Sequence, residues 1–178
     1  LAMGGISFRP SLGDAHLAAL DAVRLGEAEK VAIGFDRDVF GVPATSYFQS
    51  FNEGDTSRWP MNFELRPAGH EMAIGHMAGS EVAAARAGGD LEAHALQLLA
   101  DAFGNGIKRH VTKVVTTGWA DDPFIGGAYS IALPGRAAMR PILSEPIAER
   151  VFLAGEATSI DAFSTAHGAR QEGIRAAH

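Results

Sequence analysis

The middle of the chain alternates apolar and polar residues in the way that predicts a β-sheet. Between residues 30 and 36, the side chains of Val31, Ile33 and Phe35 fall on one side, as in a half-buried strand. Pro67-Ala68-Gly69 separates two further runs and predicts the turn of an antiparallel hairpin. The predicted strands are 30–36, 45–51, 61–65, 72–78 and 110–117. The alternating residues of the fourth strand are Met72, Ile74, His76 and Ala78.

Two stretches show the three- and four-residue spacing of amphipathic helices. The first helix is predicted to begin near Asp14 and to stop at Gly26, with its apolar face made of Leu17, Leu20, Val23 and Leu25. The second follows Gly88-Gly89, begins after the capping residue Asp90 and ends at Gly104. Its predicted apolar face comprises Leu91, Ala95, Leu98, Leu99, Ala102 and Phe103. Strands and helices together predict an α+β fold, with a mixed, largely antiparallel sheet and flanking helices.

The C-terminal segment, residues 151–178, predicts a strand followed by a helix. Residues 151–154 are apolar and predict a short buried strand, which Gly155 and Glu156 break. Ser164 and Thr165 are good N-cap residues for a helix from Ala166 onward. The amides and dipole at such a helix end can hold a negative charge, and the Glu156 carboxylate can bind sugar hydroxyls. Since Gly168 has no side chain, another backbone or a flat ligand could lie against the first turn.

A glycine-rich loop with three aromatic residues follows the last predicted strand of the sheet. Its aromatic residues are Trp119, Phe124 and Tyr129, and Gly118, Gly126 and Gly127 interrupt them. Because glycine permits close approach and aromatic rings stack on other rings, such a loop can bind a planar ligand.

The composition excludes several kinds of protein. The chain has 178 residues, enough for one domain with a sizeable core. The net charge of −6 argues against nucleic acid and anionic membranes as partners. With no cysteine, the chain has no disulfides, no thiolate metal site and no thioether link to a cofactor. The seven histidines form no metal-binding pattern, and we predict no metal site. No apolar run approaches the length of a membrane span, so we expect a soluble protein, with the cytoplasm slightly favoured.

The motifs at both informative stretches resemble those of the flavin-containing amine oxidases, a family that includes monoamine oxidases, polyamine oxidases and lysine-specific histone demethylases. The C-terminal part of the likeness is AGEAT at 154–158, STAHGA at 164–169 and GIRAA at 173–177. The loop at 116–130 resembles the family's tryptophan–aspartate–proline motif. A less specific likeness covers residues 5–12, the helix that follows them, and then Lys30-Val31 and Phe35-Asp36. The resemblance therefore covers nearly the whole chain.

The resemblance implies a role for particular residues. It implies non-covalent FAD, with the cofactor-binding residues Trp119, Gly155, Glu156, Thr165, Ala166 and Ala169. It implies that an amine substrate contacts Phe124, Tyr129 and Thr165. Monoamine oxidases have tyrosine where Thr165 stands, and the demethylases have threonine. Lys30 matches the lysine that holds a water against flavin N5, so the resemblance implies a catalytic role for it in proton handling or oxygen activation. The implied reaction is hydride transfer from the amine to flavin N5, giving an imine, with reoxidation by oxygen.

The resemblance also implies a division of the chain and a missing partner. Residues 1–150 are expected to be part of the substrate-binding domain, and 151–178 the flavin-contacting end of the cofactor domain. No Gly-x-Gly-x-x-Gly occurs in the chain, so we expect the dinucleotide-binding region to lie upstream. The start at Leu1-Ala2-Met3, with Met3 internal, suggests that this is not the natural N-terminus. Two alternatives stay open: a flavin-dependent desaturase or protoporphyrinogen oxidase, and a non-catalytic interaction domain.

Overall fold

The computed structural model describes residues 6–51, 59–88 and 90–178. The expectations about the chain start, Gly5 and Gly89 lie outside these described residues. The chain forms two compact units: unit 1 contains residues 1–26 and 128–178, and unit 2 contains residues 27–127. These units divide the chain by compactness, and the functional division expected at residue 150 stays a prediction.

The described residues form seven strands and five α-helices, joined by turns and short 3₁₀ helices. The strands are β1 (Val23–Leu25), β2 (Ala28–Phe35), β3 (Ser46–Gln49), β4 (Asn62–Leu65), β5 (Met72–Ala78), β6 (Val111–Thr116) and β7 (Ser130–Ala132). The helices are α1 (Asp14–Ala22), α2 (Ser80–Gly88), α3 (Leu91–Phe103), α4 (Arg140–Ser144) and α5 (Ala166–Ala177). This mixture of helices and antiparallel sheet confirms the predicted α+β class.

Unit 2 is a five-stranded sheet with helices α2 and α3 contributing to the core on one face. The strand order is β3-β4-β5-β2-β6, and every neighbouring pair is antiparallel. Val31, Ile33 and Phe35 of β2 are buried in the core, as their alternation predicts. Helix residues Val82, Leu91 and Leu99 join the same core cluster. All five predicted strands of the sheet are present, and the hairpin of β4 and β5 is confirmed.

The predicted alternation of β5 has the wrong phase. Ala73, Gly75 and Met77 face the core, and Met72, Ile74 and His76 are only partly buried. Gly75 pairs with Phe63, and a Cβ on Gly75 would lie 2.8 Å from both the Phe63 ring and the Met61 methyl group. The side chains of Phe63 on β4 and of Met61 just before it therefore occupy the space that a larger residue of β5 would fill. This packing between strands outweighs the apolar pattern within β5.

Helix α3 agrees with the prediction at both ends. The Asp90 carboxylate accepts hydrogen bonds from the amides of Glu92 (2.9 Å) and Ala93 (3.0 Å). The chain leaves the helix at Gly104, whose φ of 91° favours glycine. One residue of the predicted apolar face is wrong, because Ala102 is exposed and Ala100 is buried. Helix α2 was not predicted.

Unit 1 departs from the sequence predictions at two places. The first helix ends at Ala22, and residues Val23–Leu25 form β1, which pairs with β7. Pairing with a distant strand therefore overrides the helical spacing there. The buried strand expected at 151–154 is reduced to a single bridge between Ile147 and Val151. Phe152 is 48% exposed, because the described residues supply no neighbouring strand to cover this segment.

Candidate functional site

The N-terminus of α5 is built as predicted, with Thr165 as its N-cap. The Thr165 hydroxyl accepts from the amide of Gly168 (3.0 Å) and donates to the carbonyl of Ala162 (2.6 Å). Among the described residues, the amides of Ala166 and His167 have no acceptor, as geometry requires for the first turn of a helix. Both residues are exposed. The helix end therefore presents two backbone donors and the positive end of its dipole.

Gly168 allows the close approach that its sequence position suggested, and the approaching group is the chain itself. A Cβ at Gly168 would overlap the carbonyl group of Ala162. That carbonyl already accepts the Thr165 hydroxyl, so the loop before α5 turns tightly against the first helical turn. No space is left at Gly168 for a flat ligand on this side.

Glu156 connects three segments of unit 1. Its carboxylate accepts hydrogen bonds from the amide (2.8 Å) and hydroxyl (2.8 Å) of Ser130 and from the amide of Ser164 (2.6 Å). Gly155 precedes it with a φ of 136°, a conformation that side chains disfavour. Ser164 has a φ of 61°, a strained value for a residue other than glycine. One carboxylate oxygen, Oε1, thus holds β7 through the Ser130 amide, and the other, Oε2, joins Ser130 to the loop before α5 through the Ser164 amide.

A buried arginine that the sequence did not single out completes this network. Arg140 is 4% exposed and donates to the hydroxyl of Ser130 (2.7 Å) and to the carbonyl of Ala157 (2.8 Å). Its guanidinium lies 4.4 Å from the centre of the Phe163 ring, a cation–π contact. Burial lowers the pKa of Arg140, and the charge of Glu156 partly opposes that shift. The guanidinium still stays charged at neutral pH. Ser130 is the last residue of the aromatic loop motif at 116–130. Its place in that motif is the sequence signal that could have identified Ser130 as part of this network.

Two further predicted site residues of unit 1, Tyr129 and Ala169, lie close in sequence to residues of this network. Tyr129 directly precedes Ser130, and its side chain is 49% exposed. The amide of Ala169 donates to the carbonyl of Thr165 (3.1 Å), which places Ala169 on the second half of the first helical turn. Unit 1 therefore brings Tyr129, Gly155, Glu156, Thr165, Ala166 and Ala169 into one region around β7 and the start of α5.

Lys30 lies on β2, on the sheet face opposite Val31 and Ile33, and its side chain is exposed. Its backbone is fixed to the end of β6, because its amide donates to the Thr117 hydroxyl (2.8 Å) and its carbonyl accepts from the Thr117 amide (3.0 Å). The Thr117 hydroxyl in turn donates to the buried carboxylate of Glu29. Lys30 is thus an exposed cation on a rigid backbone, directly beside the start of the aromatic loop.

The aromatic loop of unit 2 is held together by Asp122. Its carboxylate accepts from the amide of Phe124 (2.8 Å), and its carbonyl accepts from the amide of Gly126 (2.8 Å). The amide of Gly127 closes the loop by donating to the carbonyl of Trp119 (3.1 Å). The side chain of Phe124 is 96% exposed and that of Trp119 is 43% exposed. Two aromatic faces are therefore available to a ligand on an ordered loop.

The described part of the chain was expected to contain neither a metal site nor a membrane-spanning helix. There, no group of three or more histidine, aspartate or glutamate side chains lies close enough together to hold a metal ion. No helix in that part is long and apolar enough to cross a membrane.

Comparison with known proteins places the chain among the flavin-containing amine oxidoreductases. The family model for flavin-containing amine oxidoreductases matches residues 1–178, so the chain belongs to that family. Lysine-specific histone demethylase 2 of Homo sapiens is 28% identical over 99% of this chain and 22% of its own length. Lysine-specific histone demethylase 1 homolog 2 of Arabidopsis thaliana is 31% identical over 97% of this chain and 24% of its length.

A solved structure shares the fold. Cyclohexylamine oxidase from Brevibacterium oxydans IH-35A superimposes with a TM-score of 0.73 at 21% identity, over 99% of this chain and 40% of that one. The chain thus spans less than a quarter of the length of the two curated relatives.

Proposed function

We propose that this chain is the C-terminal part of an FAD-dependent amine oxidase. The observation that carries the proposal is the open N-terminus of α5, where the amides of Ala166 and His167 have no acceptor among the described residues. Bound FAD would accept a hydride from the carbon beside the amine nitrogen. The substrate would be left as an iminium ion, which loses a proton to give the imine, and oxygen would then reoxidise the reduced flavin. The family match supports FAD as the cofactor, and an amine as the substrate is the more specific part of the proposal.

The chain's own groups fit a flavin at the α5 terminus through the backbone. The amides of Ala166 and His167 could donate to a ring carbonyl, where a fixed dipole stabilises added negative charge without reorganisation. The exposed ring of Trp119 could stack on a planar group. The carboxylate of Glu156 fits less well as a sugar ligand, because both of its oxygens already accept hydrogen bonds. We therefore assign Glu156 mainly to the loop that shapes the site.

The substrate roles rest on three exposed or half-buried side chains. Phe124 and Tyr129 would supply aromatic surface for the amine. Thr165 contributes chiefly its methyl group, since its hydroxyl proton is donated to Ala162 and its oxygen accepts from Gly168. Lys30 would donate a hydrogen bond from its exposed ammonium group to a water beside the reacting centre.

The helix role is tested by Ala166→Pro in the full-length protein, because proline removes one of the two free amides. Proline is tolerated at the first position of a helix, and Thr165 already has the extended conformation that a residue before proline prefers (φ −128°, ψ 150°). A helix terminus contributes up to about 2 kcal/mol, and 1.4 kcal/mol corresponds to roughly 30 mV for a two-electron couple. We expect the flavin potential to fall by a few tens of millivolts. Ala166→Ser keeps the amide and should leave the potential unchanged.

The reaction itself is tested by mixing the full-length protein with a panel of primary, secondary and aryl amines without oxygen. Bleaching of the flavin absorbance by at least one amine is the expected result. A flavoprotein that no amine reduces would contradict the amine oxidase proposal and favour a desaturase-like activity. An unchanged potential in Ala166→Pro, with FAD still bound, would contradict the role of α5.

A further inference from the structure

His76 of β5 lies directly opposite Lys30 on the neighbouring strand β2. Residues paired in this way across an antiparallel sheet project to the same face, with their Cβ atoms about 5 Å apart. On its other side, His76 pairs with Asn62 of β4. The face that holds these residues is the one opposite Val31 and Phe63, which are buried. The register therefore places an imidazole beside the ammonium group that the proposed mechanism uses.

The environment of His76 favours its neutral form. Burial is the main cause that lowers its pKa below the ordinary value of 6.5, and the positive charge of Lys30 adds to this. Glu64 of β4 is the charged group that acts in the opposite direction. Lys30 from β2 and Glu64 from β4 are the charged groups that act on the ring from the two strands packed beside β5. A neutral imidazole has one ring nitrogen with a free lone pair, so it can accept a hydrogen bond at neutral pH.

We propose that His76 is a specificity-determining residue that accepts a hydrogen bond from an uncharged amine, while the adjacent Lys30 ammonium disfavours the protonated amine. This inference rests on the proposed function, since it takes the face around Lys30 to be where the amine binds. The amine loses its proton to water before binding, so no proton passes to His76 in this step. The pair would therefore select the form of the substrate whose nitrogen lone pair is free.

The proposal predicts a particular pH dependence. Amines are mostly protonated at neutral pH, so the second-order rate of flavin reduction should fall about tenfold per pH unit as acid is added. Below the pKa of His76, its ring also becomes a cation and loses its acceptor. The logarithm of the rate should then fall with a slope of about two. In His76→Gln, which keeps an acceptor but does not titrate, the slope should stay at about one throughout. His76→Leu, which removes the acceptor, should lower the rate about tenfold at pH 7 and above.

The experiment uses the full-length flavoprotein, with benzylamine and its ring-substituted derivatives as probes and flavin absorbance as the signal in anaerobic stopped flow. A second measurement does not depend on turnover. The pKa of His76 is measured from its ring proton resonance, which His76→Gln assigns. We expect this pKa to rise in Lys30→Met and to fall in Glu64→Gln. Lys113→Met is the matched control, because Lys113 lies on the same face but pairs with Gly34 of β2, and it should leave the pKa of His76 unchanged.

The outcomes separate this inference from the function on which it rests. If amines reduce the flavin but the wild-type slope stays at about one, or if His76→Gln keeps the steeper slope, the His76 inference is wrong and the amine oxidase proposal stands. If no amine reduces the flavin, the proposed function fails, and the role of His76 fails with it. Should His76→Gln lose its flavin, Glu64→Gln gives the same test, because it must move the bend in the profile to lower pH.

Discussion

At the scale of single residues, two glycines of one helix have opposite roles. Gly168 lies against the Ala162 carbonyl, whereas a Cβ at Gly173 would meet no atom within 4 Å. We expect Gly168→Ala to lower the free energy of unfolding by roughly 1–3 kcal/mol, because the loop before α5 must move away. Gly173→Ala is the matched control and should raise that free energy by about 0.5–1 kcal/mol, as alanine suits a helix interior. Urea unfolding of both variants measures the difference, and equal effects would show that the approach at Gly168 is not tight.

At the scale of elements, a carboxylate connects α5 to the turn before it. Glu172 accepts from the Thr158 hydroxyl (2.8 Å) and from Nε of Arg175 (2.7 Å), and Arg175 also donates to the carbonyl of Leu153 (2.6 Å). Burial alone would raise the pKa of Glu172, but the hydrogen bonds from Arg175 and Thr158 and the charge of Arg175 outweigh it. The pKa of Glu172 therefore lies below its ordinary value of 4.5.

The lowered pKa of Glu172 determines whether its contribution to folding stability rises or falls with pH. The stability that its charge contributes is fully present above pH 4.5 and is lost as the pH falls through the lower value of the folded protein. We expect Glu172→Gln to be less stable than the wild type at pH 7, and the difference to shrink as the pH is lowered below 4.5. Thermal unfolding between pH 7 and pH 3 measures this. A gap that stays constant over that range would mean that the carboxylate charge is not involved.

The secondary-structure elements differ in how well the sequence predicts them. Helix α3 was predictable because its cap, its apolar face and its terminating glycine are all local signals. The phase of β5 was not, since it depends on Phe63 and Met61 filling the space beside Gly75. The strand expected at 151–154 needs a partner strand that no local pattern reports. In the site, Thr165 was predictable as a cap, whereas Arg140 and His76 gain their neighbours only through distant pairings.

At the scale of the whole molecule, the sequence contains no Gly-x-Gly-x-x-Gly, the motif that binds the ADP half of a dinucleotide in many nucleotide-binding domains. We therefore expect the 178-residue chain alone to be purified without FAD and to leave amines unoxidised. Absorbance near the flavin bands and a peroxide assay with an amine panel measure both. A yellow protein with one flavin per chain would refute this expectation.

Unit 2 is an insertion within unit 1, because unit 1 consists of the residues that precede and follow it in the chain. The amide of Gly26 donates to the carbonyl of Tyr129 (2.8 Å), and the amide of Ala128 donates to the carbonyl of Gly26 (2.8 Å). The chain thus leaves unit 1 and returns to it at the same place, although residues 27–127 lie in between. During synthesis, the inserted unit is complete before the ribosome has made the second half of its host. Because the exit and return points are joined, a short linker could replace residues 27–127 without separating β1 from β7.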